Sequence, residues 1–133
     1  MLKITKLEGY AFLLLTCMAS RDSSLLYSAK DLSTDSSLPL PTVSKVLKLL
    51  TQAAILKSCQ GSRGGYSLAK PADEINVAEI VQIFEGPLAL TDCCGEASCP
   101  RNCPVAPDWQ KLNNAIENLL RGLTLADMVN HQK

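Results

Sequence analysis

Aromatic residues make up only 5% of this 133-residue chain: one Trp, three Tyr and two Phe. That scarcity argues against a protein that grips single-stranded nucleic acid by stacking bases on aromatic platforms. Histidine occurs once, as His131. Without a Ser–His pairing or a phosphate-cradling loop there is no catalytic constellation, and an enzyme is disfavoured. Net charge is also missing, since 13 basic residues balance 13 acidic ones, so no overall field draws polyanions to the chain. Long apolar runs are absent as well. The stretch Tyr10–Cys17 is too short to span a bilayer, Glu8 interrupts its approach, and Thr16 is larger than the residue expected before a lipidated cysteine. It reads as a core helix of a cytoplasmic protein with no membrane partner.

What is present is a globular composition, 47% hydrophobic and 20% charged, of a length that favours one domain. The balanced charge is segregated. From Ser36 to Ala72 there are five basic residues (Lys45, Lys48, Lys57, Arg63, Lys70) and no acidic one. From Pro71 to Asp108 there are seven acidic residues and a single basic one, Arg101. Such asymmetry points to a basic binding face. Six cysteines complete the inventory; Cys17 and Cys59 stand alone, while Cys93, Cys94, Cys99 and Cys103 crowd into eleven residues. In a reducing compartment, clustered thiols suit metal binding or redox chemistry better than structural disulfides.

Hydrophobic periodicity organises the chain as mainly α with a small β-hairpin. Leu7–Ala19 predicts a buried first helix, and Ser28 caps a short second one over Ala29–Thr34. Pro41 suits a helix first turn, after which Val43, Val46, Leu47 and Leu50 form one apolar stripe. Ile55–Ser58 and Tyr66–Ala69 predict a hairpin whose glycines, Gly61, Gly64 and Gly65, permit positive φ and leave Arg63 at the tip. Asn76 caps a helix over Val77–Glu85 that stops at Gly86-Pro87. Beyond the cysteine-rich segment, a helix opens at Pro107 and Asp108. It carries Trp109, Leu112, Ile116, Leu119 and Leu123 at heptad spacing, long enough to pair with a second copy. Thr124 and Asp127 form a capping box for a last short helix.

A short helix, a sharp turn, a polar-faced helix and a glycine-rich hairpin make a winged helix-turn-helix, whose third helix fits the major groove of double-stranded DNA. Thr42 and Ser44 are candidates for base edges. Lys45, Lys48, Lys57 and Arg63 are candidates for phosphates. The plainer reading, a solvated cationic face, competes, as does an adaptor that borrows the fold without binding DNA. The thiols Cys93, Cys99 and Cys103 follow C-x5-C-x3-C, with Cys94 beside the first. They suit iron–sulfur or zinc ligation, against a reversible disulfide or plain free thiols.

These residues together resemble a known family. Pro39 to Lys48, then Gly61-Ser62-Arg63-Gly64-Gly65-Tyr66-Ser67-Leu68-Ala69-Lys70-Pro71, then Phe84-Glu85-Gly86-Pro87 and three spaced cysteines are similar to the Rrf-type winged-helix regulators. These include an iron–sulfur cluster regulator and a nitric-oxide-sensing repressor. Cys103-Pro104-Val105, Trp109-Gln110-Lys111 and Thr124 to Met128 look most like the branch that regulates the SUF iron–sulfur assembly operon. The resemblance implies a homodimeric repressor of an operator duplex. Residues 1–87 would form the DNA-binding domain, 88–106 the cluster-binding segment, and 107–133 the dimerisation helix and tail. It implies a 2Fe-2S or 4Fe-4S cluster, not distinguishable here, on Cys93, Cys99 and Cys103, with Cys94 able to replace Cys93. The fourth ligand is open. Where some members have histidine this chain has Ala106, and where others have a carboxylate it has Gly9 with Glu8 adjacent. Glu8, Asp108, Cys94 or a small molecule compete for that position, while His131 is expected to be a bystander. The alternative within DNA-binding regulators is a zinc or thiol-redox switch on the same cysteines.

Overall fold

The computed structural model describes residues 3–21, 25–61, 64–91 and 103–130. Three helices open the fold: α1 (Lys6–Ser20), α2 (Ala29–Ser36) and α3 (Leu40–Gln52). An antiparallel hairpin of β1 (Leu56–Cys59) and β2 (Gly65–Leu68) follows, paired Leu56 with Leu68 through Cys59 with Gly65. A single 3-10 turn, Ala72–Glu74, leads to α4 (Val77–Glu85). Two helices end the chain, α5 (Ala106–Gly122) and α6 (Leu125–Asn130). This is a winged helix with a long helix appended.

Side-chain caps set several of the boundaries. Ser28, Asn76 and Thr124 each accept a hydrogen bond from the backbone N–H three residues on, and the acid at that position reaches back. Thr5 and Glu8 do the same for α1. Each box satisfies two amides that the first turn would otherwise leave orphaned.

The core lies where α1, α3 and α4 meet. Leu14, Leu15, Val43, Val46, Leu47, Leu50 and Ile80 are fully buried there. The α3 stripe predicted from periodicity is thus the core face. Helix α6 returns to the same core. Leu125 is buried, its N–H donates to the Ile75 carbonyl at 2.8 Å, and the Val77 N–H donates to the Leu123 carbonyl at 2.9 Å.

The wing glycines work differently from the expectation of positive φ throughout. Gly61 does adopt φ +122. Gly64 and Gly65 are required by crowding instead. A Cβ on Gly64 would sit 2.6 Å from the Cys59 carbonyl oxygen, and one on Gly65 would sit 2.9 Å from that of Tyr27. The second contact exists because Tyr27, in the segment before α2, bridges the wing. Its N–H donates to Tyr66 at 2.9 Å, and the Tyr66 N–H donates back at 2.8 Å.

Candidate nucleic-acid interface and cysteine segment

Helix α3 turns two chemistries in opposite directions. Its apolar residues enter the core, while Ser44, Lys45 and Lys48 are exposed and Thr42 is half-buried. Unlike α1, α2 and α4, it has no side-chain cap and no acid in its first turn. An acid there would repel a phosphate, and none is present. Along the outer face, Ser44, Lys48, Thr51 and Gln52 form one wall of a cleft of about 350 Å³, and Ser58 and Tyr66 of the wing form the other. The cleft therefore joins helix and wing into one surface lined by side chains that each carry a polar group. Lys57 is exposed on β1. Arg63 lies outside the described residues.

Among the described residues, Lys45, Lys48 and Lys57 have no carboxylate partner. Lys70, the remaining described cation of the basic segment, is committed elsewhere: its Nζ donates to Glu79 Oε1 at 2.8 Å. Burial works to raise the Glu79 carboxyl, but the Lys70 hydrogen bond and the Asn76 N–H outweigh it and hold the group below its ordinary range. The basic run thus divides into three described lysines on the outer surface and one that joins the end of the wing to α4.

Thr51, Gln52, Ser58 and Tyr66 escape a charge-based search of the sequence. For Thr51 and Gln52 the signal that could have found them is helical spacing: Ser44, Lys48, Thr51 and Gln52 recur at three- and four-residue steps away from the apolar stripe; Ser58 and Tyr66, on the wing strands, carry no such signal.

Of the clustered thiols, Cys93, Cys94 and Cys99 lie outside the described residues. Cys103 is a free, half-buried thiol three residues ahead of α5. Among the described residues no group of three His, Cys, Asp or Glu side chains comes together to hold a metal. The donors that are described suit iron chemically. Cys103 is uncommitted, and Glu8 has a buried carboxylate. One Glu8 oxygen accepts the Thr5 N–H at 2.9 Å, and the other has no hydrogen-bond partner among the described residues. Ala106 and Asp108 occupy the first turn of α5, Gly9 is exposed on α1, and His131 lies outside the described residues. Cys17 is half-buried in α1, and burial pushes its thiol up, as befits an inert packing group.

Helix α5 reverses the pattern of α3. Trp109, Leu112, Leu119 and Leu123 are 43%, 45%, 72% and 50% exposed, and Ile116 is half-buried. The heptad row seen in the sequence therefore points away from the chain's own core. Among the described residues, no helix is long and apolar enough to cross a membrane.

The comparisons with known proteins agree with this geometry. An HTH-type transcriptional regulator of Aquifex aeolicus is 30% identical over 128 residues, covering 91% of this chain and 87% of that one. The protein rrf2 of Nitratidesulfovibrio vulgaris is 29% identical, covering 96% and 87%. Among solved structures, CymR (YrzC), the global cysteine regulator of B. subtilis, superposes with a TM-score of 0.81. It is 23% identical and covers 98% of both chains. T. potens IscR superposes with a TM-score of 0.76 at 26% identity, covering 99% of this chain and 89% of that one. The Rrf2 family model, described as an iron-dependent transcriptional regulator, matches residues 4–131. The chain is a member of the Rrf2 family of transcriptional regulators.

Proposed function

We propose that this protein is a homodimeric transcriptional repressor of iron–sulfur assembly genes that senses an iron–sulfur cluster through Cys93, Cys99 and Cys103. One observation carries the reading. A cysteine-rich segment leads directly into a helix whose apolar row is exposed, and that helix follows a winged unit whose outer face is cationic. The sensor segment, 88–106, then sits in the chain between the reading unit, 1–87, and the pairing helix with its tail, 107–133.

Each part has a physical role. Thr42 and Ser44 face base edges in the major groove, and Lys45, Lys48, Lys57 and Arg63 neutralise phosphates. The α5 rows of two protomers bury each other and hold the two reading heads at a fixed spacing. Half-sites about one helical turn apart, roughly 34 Å, match or mismatch that spacing. The three thiolates would hold the cluster, with Cys94 or the stranded Glu8 oxygen as a further donor. When bound, the cluster supplies ligation that iron supply and oxidants can reverse. A ligand that favours one arrangement of the protomers shifts DNA affinity by its differential binding to the two arrangements.

The test is purification without oxygen, followed by an absorption spectrum, iron and sulfide counts, and operator binding by wild type and Cys99→Ala. A coloured wild-type protein whose affinity changes on cluster loss, and a colourless variant locked in one state, are expected. A colourless protein carrying stoichiometric zinc would replace the cluster with a zinc or thiol switch on the same residues. Arg63→Ala weakens specific and nonspecific duplexes alike; altered base preference with an unchanged salt slope would remove its phosphate role.

A further inference from the structure

Helix α5 exposes most of its apolar residues, half-buries Ile116 and Leu120, and fully buries one residue, Asn113, at 5% exposure. A fully buried amide on a helix whose apolar residues are mostly exposed needs a reason, because its polar groups lose water and must find partners. Both are found on one stretch of backbone. Asn113 Oδ1 accepts the Leu90 N–H at 3.0 Å, and Asn113 Nδ2 donates to the Leu88 carbonyl at 3.1 Å. The side chain imitates a strand neighbour and fastens residues 88–90 to α5.

The position of this fastening gives it meaning. Leu90 lies three residues before Cys93, a reach of at most about 10 Å. Cys103 lies three residues before the start of α5 at Ala106, and Asn113 lies seven residues inside it, about 10 Å along the axis. Both ends of the cysteine segment are therefore tied to the first two turns of one helix. Without the amide, residues 88–90 would lose both of these hydrogen bonds to α5, and the ends would find each other at a larger entropic cost.

We propose that Asn113 is the positioning residue of the cysteine segment, a clasp that raises the effective concentration of the Cys93 side against Cys103. It rests on the reading of those cysteines as a ligand set. It touches no ligand itself and acts through the backbone of Leu88 and Leu90.

The experiment measures proximity without any metal. In the full-length chain with Cys17, Cys59, Cys94 and Cys99 changed to Ser, the Cys93–Cys103 dithiol is equilibrated against reduced and oxidised glutathione. The effective concentration of the two thiols is read from the fraction of disulfide. Asn113→Ala should lower it about tenfold. Asn113→Asp keeps an acceptor for Leu90 but sets a buried carboxylate oxygen against the Leu88 carbonyl, so it should lower it as well. Metal-free DNA affinity measured in parallel should be unchanged in both, which separates a clasp from a general loss of fold. Equal effective concentrations in wild type, Asn113→Ala and Asn113→Asp would overturn the proposal, and so would a drop matched by lost DNA affinity. The clasp and the cluster reading fail separately. A wild-type protein that takes up no iron removes the cluster and leaves the thiol measurement standing.

Discussion

Helices α3 and α5 carry similar apolar stripes and use them in opposite ways. In α3 the stripe of Val43, Val46, Leu47 and Leu50 is wholly inside, and what faces out is short, polar and cationic. In α5 the apolar row faces out, and the buried residue is an amide. The difference teaches that periodicity identifies a helix and its two faces but not which face belongs to the chain itself. A stripe with enough neighbours in its own sequence becomes core; one without them stays on the surface.

Substitutions can break this contrast, beginning with the largest effect. Leu47→Ala removes a fully buried side chain from the α3 stripe and should cost about 2–5 kcal/mol of unfolding free energy, read by denaturant titration. Leu112→Glu with Leu119→Glu changes residues that are already exposed. Each monomer should stay as stable as before, while the affinity of the proposed dimer falls by about a hundredfold or more in sedimentation velocity. A large loss of monomer stability there would instead place the α5 row in the chain's own core. Gly65→Ala drives a Cβ into the Tyr27 backbone and should destabilise the wing by about 1–3 kcal/mol, visible as faster amide exchange at Tyr66.

Two smaller effects sharpen the contrast. Lys48→Ala should make the salt slope of duplex binding shallower by about one, with little change in fold stability. Glu79→Gln weakens the tie from the wing to α4. The Glu79 carboxyl is held below its ordinary range in the folded chain. Its contribution is therefore present above that range and lost as pH falls through the folded value. The bridge is more than a third solvent-exposed at Glu79. The neutral variant should lose only about half a kcal/mol at neutral pH, and its acid unfolding should be less steep.

Much of this architecture was legible in the residues. Ser28, Asn76 and Thr124 were readable as caps because capping is local chemistry with a fixed three-residue offset. The α3 and α5 stripes were readable because their spacing is helical. Glu8 is easily misread: along the chain it breaks an apolar run, yet it stands at the same three-residue offset from Thr5 and closes a capping box there. Tyr27 and Asn113 could not be read at all. Each acts on backbone far away in sequence, Tyr66 for one and Leu88 and Leu90 for the other. Backbone leaves no residue-type signature at the receiving end. The ligand set of the cysteine segment was legible only as spacing, since Cys93, Cys94 and Cys99 lie outside the described residues and Cys103 alone is described.

The bridge between Tyr27 and Tyr66 is made of main chain on both sides. Short of a proline, no side-chain replacement at either position deletes its donors and acceptors. The wing's bearing is consequently insulated from drift in what it displays. Descendants of this sequence could retune the groups offered to a duplex, residue by residue, while the angle of presentation stays inherited.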